Sequence, residues 1–274
     1  MNAPWMPVEA DRGNRVLLAE VDGPIAILTL NRPAARNSLS EEILAALRNT
    51  FAGIAEDRSV RAVVLCANGL AFCAGHDMKE MTARRTDVDR GRAYFRALMT
   101  TCSAMMQDIV HLPQPVIAAV EGVASAAGCQ LVATCDLAIA SESAKFATPG
   151  VNIGLFCSTP MVALSRNIAR KHAMEMLLTG DMMAASEAMR MGLVNRVVAP
   201  GTARDEALAL GRQIASKSAA IVKIGKAAFY RQIEMPLAEA YAYTAEVMAE
   251  NMLARDAEEG IGALIEKRPP EWRD

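Results

Sequence analysis

The stretch Pro115-Val116-Ile117-Ala118-Ala119-Val120-Glu121-Gly122-Val123-Ala124-Ser125-Ala126-Ala127-Gly128-Cys129-Gln130 decides the fold. Its first six residues are an apolar run too short for a typical helix and β-branched at Val and Ile, which reads as a buried strand. Gly122 closes that strand. From Ser125 the residues are small, and Leu131 and Val132 carry the pattern to Cys135 as a tightly packed helix. Residues 136–140 then return as a strand. Strand, turn, helix and strand in so short a span read as part of an α/β chain built from strand–strand–helix units.

Working outward, residues 16–21 and 25–30 flank Asp22-Gly23-Pro24 and predict a hairpin. Ser40 is placed to cap a helix whose first turn carries Glu41 and Glu42. Ile43, Leu44, Leu47, Phe51 and Ile54 supply that helix with an apolar face. Residues 62–66 form another short buried strand, ending at Asn68-Gly69. Residues 83–97 are charged and irregular, a solvated excursion that turns helical towards Met105. The segment 146–160 is rich in Gly, Pro, Asn and Thr and reads as a loop lining a site. Residues 187–192 end a short helix before a strand over 194–198, closed by Pro200-Gly201. Thr202-x-x-Asp205 then opens a helix, and Pro236 begins another with Leu237, Tyr241, Thr244 and Met248 on one face. The chain therefore divides into a core over residues 1–200 and a helical region over 201–274.

Composition narrows the function. In 274 residues, 29 Lys and Arg balance 31 Asp and Glu, so no concentrated positive charge is available for nucleic acid or an anionic membrane. The longest apolar runs are strand-sized, well short of the ~20 residues of a membrane helix. Three histidines (His76, His111, His172) and six cysteines contain neither H-x-x-x-H nor C-x-x-C, which argues against a metal site. His111 and His172 read as surface residues. Free thiols suit a reducing compartment. Residues 1–13 have neither the apolar core of a signal peptide nor the Arg-rich character of a transit peptide. The expectation is a cytoplasmic enzyme acting on a small molecule.

Two segments could carry chemistry. In Phe72-Cys73-Ala74-Gly75-His76-Asp77-Met78, the small-small-Gly step lets a backbone N–H face a cleft. In Gly122–Gln130, small residues between strand and helix leave the helix's free N–H groups open to an anionic oxygen. Two such donors form an oxyanion hole for a thioester enolate or tetrahedral intermediate. The same residues read equally as tight turns that pack strand on helix.

Together with Asn31-Arg32-Pro33-x-x-Arg36-Asn37-Ser38-Leu39, these segments resemble the crotonase (enoyl-CoA hydratase/isomerase) superfamily. The resemblance runs from residue 16 to residue 272. It includes Cys135-Asp136-Leu137-Ala138-Ile139-Ala140, Phe146-Ala147-Thr148-Pro149 and Leu178-Thr179-Gly180-Asp181. It implies a β-β-α spiral core and a helical C-terminal trimerisation region, assembled as a homotrimer or a dimer of trimers. The implied ligand is an acyl-CoA thioester, with coenzyme A as part of the substrate and no separate cofactor. Carried onto this chain, the two oxyanion donors fall on the backbone of His76 and Ala127, with Gly128 beside them. Arg36, Ala74, Asp77 and Met78 fall where the family holds adenine and pantetheine. Lys226 and Phe229 fall where C-terminal helices close over the ligand, from the same subunit or from a neighbouring one.

The family's two catalytic glutamates align with Gln130 and Gly150, and an isomerase acid aligns near Ser158. None of these is a carboxylate here. General acid–base catalysis is worth roughly 10²–10⁴ in rate, so ordinary hydration is expected to be strongly impaired. The substitutes on offer have competing structural readings. The His76 side chain faces either the cleft or the protein body. Asp77 caps the next helix or serves the site. Cys129 and Cys157 pack in the core unless their pKa values are lowered. Glu121 reaches the pocket or solvent, and Met161 and Met182 line an acyl tunnel or pack. Three functions stay open: a thioester-polarising enzyme, a non-catalytic acyl-CoA binder or regulator, and a specialised thioester isomerase or hydrolase using His76, Asp77 or Ser158.

Overall fold

The computed structural model describes residues 15–273; the reading of residues 1–13 lies outside them. The chain opens with the hairpin β1 (Leu17–Asp22) and β2 (Ile25–Leu30), and a one-turn 3-10 helix at Pro33–Ala35 leads to α1 (Glu41–Glu56). The Ser40 hydroxyl accepts from the Ile43 N–H at 3.2 Å, so the expected cap is made. Then follow β3 (Ala62–Ala67), β4 (Ala71–Cys73), α2 (Met78–Ala83), α3 (Arg92–His111), β5 (Val116–Val120), β6 (Val123–Ser125), α4 (Ala127–Thr134), β7 (Leu137–Ser141) and β8 (Lys145–Ala147). After a 3-10 turn at Pro149–Ile153 come α5 (Pro160–Asn167), α6 (Arg170–Thr179), β9 (Met183–Ala184), α7 (Ala185–Met191) and β10 (Arg196–Val198). Four helices end the chain: α8 (Ala203–Ala215), α9 (Ala219–Gln232), α10 (Leu237–Met252) and α11 (Arg255–Glu266).

After the opening hairpin, each turn of the chain gives one strand to each of two sheets. The larger has the order β1-β2-β3-β5-β7-β10, parallel except for the hairpin pair. The smaller has the order β4-β6-β8-β9. Alternating side chains of the large sheet feed two cores. Ala26, Leu28, Val63, Leu65, Ala118 and Val120 face the main core with α1, α3 and α4. Ile25, Ile27, Val64, Ile117 and Ile139 face the other way and are covered by Ala203, Ala207 and Leu208 of α8. Thus α8 packs on the sheet, although it lies beyond the division expected at residue 200.

Several boundaries differ from the sequence reading. Residues 123–125 are a strand, so the helix expected from Ser125 starts at Ala127. The charged excursion ends earlier than expected, because Gly91, at φ 84°, turns the chain into α3 at Arg92. The segment read as a loop over 146–160 holds the end of β8 and a 3-10 turn. On α10, Leu237, Tyr241 and Met248 share a face as expected, but that face is exposed. No helix among the described residues is long and apolar enough to cross a membrane.

Candidate functional site

The site is built where the 32–39 loop, the 73–77 loop and the start of α4 meet. Backbone bonds sew the first two together: Ala74 N–H donates to Arg36 O at 3.0 Å, Leu39 N–H to Gly75 O at 2.7 Å, and Asp77 N–H to Leu39 O at 3.1 Å. Arg36 and Asn37 hold this path with left-handed backbone at φ 50° and 53°. Asn37 is fully buried. Its amide donates to Asn68 O and Ala71 O, each at 2.8 Å, and its Oδ1 accepts from Arg32 N–H. Asn37 was not singled out from sequence; its tolerance of left-handed backbone was the available signal.

Asp77 caps α2, accepting from Lys79 N–H at 3.0 Å and Glu80 N–H at 3.4 Å, and pairs with Arg32 at 3.1 Å. Burial pushes its carboxyl up, but Arg32 and the two helix N–H groups outweigh that and hold it below the usual range. Met78, at the first position of α2, is half exposed.

Gly75 and Gly128 bring the third segment in. A Cβ on Gly75, whose φ is +103°, would lie 3.0 Å from Ala126 Cβ and 3.6 Å from Ala127 N. A Cβ on Gly128 would lie 2.0 Å from Cys73 O, so only glycine lets α4 seat against β4. Ala126 sits at φ 51°, ψ −117°, a conformation that costs a non-glycine residue on the order of 1–3 kcal/mol. This strained residue turns the chain so that the Ala127 N–H is the first of α4. Neither the Ala127 nor the His76 N–H donates to an acceptor among the described residues.

The His76 ring nitrogens are buried and have no hydrogen-bond partner. Burial lowers the ring's pKa, with the nearby Leu39 backbone opposing, which favours a neutral imidazole. Gln130, one turn along α4, is buried and its Oε1 has no partner. Gly150 lies in the 3-10 turn after β8, and a Cβ there would meet Cys157 Sγ at 2.9 Å and Leu155 O at 3.1 Å. Cys157 therefore fills the space in which a side chain on residue 150 would start. Ser158 is exposed, and its hydroxyl donates to Phe156 O at 3.4 Å.

All six cysteines are free and buried. Burial pushes the Cys129 thiol up to about 12 and raises that of Cys157, so both are protonated near neutral pH. Glu121 turns away to α8, where its carboxylate accepts from Gly201 N–H at 2.9 Å and Ala203 N–H at 2.7 Å. Among the described residues, no group of three or more His, Cys, Asp or Glu is placed to hold a metal ion.

Lys226 and Phe229 lie apart from these loops, on α9. All three donor positions of the Lys226 ammonium are taken: Asp136 Oδ2 at 2.7 Å, Ile109 O at 3.0 Å and Gln114 O at 3.1 Å. Tyr230 O–H adds a bond to Asp136 Oδ1 at 2.9 Å. Burial lowers the Lys226 pKa, and Asp136 opposes it. In this arrangement Lys226 tethers α9 to the sheet, where a cation over a ligand was expected. Tyr230 was missed from sequence, although it sits four residues from Lys226 on the same helix face. Phe229 is half exposed. It lines, with Gln130 and Lys226, a cavity of about 890 Å³ between α3, α4, α5 and α9.

Residues 20–274 match the family model described as enoyl-CoA hydratase/isomerase. The chain belongs to that family. A solved structure of an enoyl-CoA hydratase from Mycobacterium smegmatis superposes with a TM-score of 0.90 at 53% identity, covering 94% of this chain and 99% of that one. That of human enoyl-CoA hydratase domain-containing protein 3 gives 0.89 at 43%, covering 94% and 100%. By sequence, the human protein is 44% identical over 253 residues, 92% of this chain and 82% of its own length. The crotonase spiral expected from sequence is therefore the fold of this family member. The expected cytoplasmic location does not stand, because the human relative and its rat and mouse counterparts are named as mitochondrial. Reduced thiols and charge balance do not separate those compartments.

Proposed function

We propose that this family member binds an acyl-CoA thioester and polarises its carbonyl between the backbone N–H groups of His76 and Ala127. The observation that carries this reading is that a Cβ on Gly75 would come within 3.6 Å of Ala127 N, so the 73–77 loop lies against the first residue of α4, and the His76 and Ala127 N–H groups have no acceptor among the described residues. A donor of this kind is worth roughly 2.7–4 kcal/mol to a developing oxyanion. On this reading Arg36, Ala74, Asp77 and Met78 lie towards the adenine and pantetheine of the ligand; of these, Asp77 acts through its hold on Arg32 and α2.

The positions aligned with the family's two glutamates are Gln130 and Gly150, and neither supplies a proton. An amide has no titration near neutral pH, and the space at 150 holds a thiol. Of the substitutes His76, Asp77 and Ser158, only His76 keeps polar side-chain atoms without a partner. Proton transfer by the neutral His76 imidazole is thus the reading for a specialised isomerase or hydrolase. Without it the protein is an acyl-CoA binder. The exposed apolar residues of α9 to α11 support assembly as a homotrimer or dimer of trimers.

The test uses an enoyl thioester with a conjugated aromatic group, whose absorption moves to longer wavelength when its carbonyl is polarised. Wild-type protein is expected to give that shift. Replacing the Ala127 residue by its α-hydroxy acid, which exchanges the N–H for an ester oxygen, should abolish it. Binding without a shift would overturn the oxyanion reading. Hydration of crotonyl-CoA at a rate typical of hydratases would overturn the claim that the missing carboxylates matter.

A further inference from the structure

The last three helices enclose a second cavity, of about 340 Å³, and none of its lining residues belongs to the candidate site or to the cavity beside α4. That volume lies within the ~300–1,000 Å³ of ligand sites. The wall is apolar: Ile221 and Val222 of α9, Met252 of α10, Ala257 and Ile261 of α11, and Trp272 of the tail. Hydrogen bonds hold the tail in place. Trp272 lies close over Gly260, where an added Cβ would be 3.2 Å from its ring, and its indole N–H donates to Ser216 O at 2.9 Å. Arg268 grips the Glu259 carboxylate at 2.6 and 2.9 Å, and that carboxylate also accepts from Glu271 N–H at 2.8 Å.

One carboxylate interrupts this wall. Asp256 is 5% exposed; its Oδ1 accepts from Arg273 N–H at 3.2 Å, and its Oδ2 is buried with no partner. Asp77 and Asp136 are buried too, but they pair with Arg32 and Lys226. Lys217 stands at the exposed mouth of the cavity and does not bond to Asp256 Oδ2. A carboxylate oxygen shut away from water without a donor costs free energy that a ligand's N–H would recover. A cationic head on an apolar body complements both the charge and the wall. We infer that this cavity is a second binding site, for a primary alkylammonium whose head pairs with Asp256 and whose chain packs against Trp272 and the aliphatic wall. The site stands independently of the acyl-CoA reading.

The chain has two tryptophans, so Trp5→Phe leaves Trp272 as the one reporter, beside the cavity. In that variant of the full chain, fluorescence is titrated with hexylammonium, hexanol and hexanoate. Hexylammonium is expected to saturate the signal at a concentration about tenfold lower than hexanol, because its bond to the carboxylate joins opposite charges. Hexanoate should give no saturation. Adding Asp256→Asn removes the charge but keeps an acceptor for Arg273 N–H, and should bring hexylammonium and hexanol to equal affinity. If circular dichroism shows that variant unfolded, Lys217→Met replaces it: loss of the like charge at the mouth should raise the preference for hexylammonium over hexanol. Equal binding of the three probes, no saturation by hexylammonium, or an unchanged preference in the variant that folds would overturn the inference.

Discussion

At residue scale, close approach governs the site. Gly128→Ala would drive a Cβ to 2.0 Å from Cys73 O, between two backbones that cannot both yield. It should cost about 3 kcal/mol or more, read as a fall in the urea midpoint. The seat at Gly150 sets a different constraint. Placing glutamates at Gln130 and Gly150 should not restore hydration, because the Cys157 thiol occupies the new side chain's path. Adding Cys157→Gly to that pair should give measurable crotonyl-CoA turnover, and a triple variant as inactive as the double would refute the steric account. Asp77 gives a pH signature. Its folded pKa is depressed, so the stability it contributes is present above about pH 4 and lost as pH falls through the folded value. The stability gap between wild type and Asp77→Asn should therefore close on acidification, measured by urea unfolding from pH 7 down to pH 3.

At the scale of elements, the buried pair Lys226–Asp136 holds α9 against the start of β7. Lys226→Met would leave Asp136 buried and unpaired, at a cost of about 3–5 kcal/mol. Adding Asp136→Asn should recover part of that loss in a thermal melt, which distinguishes a tether from a ligand contact. The sequence made the elements with long apolar signals legible. The hairpin, α1, β3, β5 and β7 follow from runs of Val, Ile and Leu that any α/β sheet needs. It did not make β4 and β6 legible, since three-residue strands such as Ala71–Cys73 are too short to show a period. The site was half legible for the same kind of reason. Glycines and small residues mark where backbones approach, so the 73–77 and 122–130 segments stood out. The destinations of long side chains do not follow from local pattern. Glu121 proves to cap α8, and Lys226 to pair with Asp136, 90 residues distant in sequence.

At the scale of the whole molecule, the described residues leave an unpartnered apolar surface near the C-terminus. On the last two helices and the turn between them, Leu237, Tyr241, Met248, Leu253, Leu264 and Ile265 are each more than half exposed. Burial of such a surface between copies is the economical outcome. Sedimentation should find an oligomer, and Tyr241→Lys with Leu264→Glu should shift it towards monomer without unfolding the core.

The packing of α8 bears on where the chain can be divided. Ala203, Ala207 and Leu208 cover the second face of the large sheet, and the Glu121 carboxylate anchors the first turn of that helix. A fragment cut at residue 200 would bare a sheet face of Ile25, Ile27, Val64, Ile117 and Ile139 and would aggregate. One cut after residue 217 would keep that face sealed. The seal of that sheet face therefore ends with α8, inside the stretch that the sequence pattern assigns to the tail, and the Lys226–Asp136 pair binds α9 to the core beyond it.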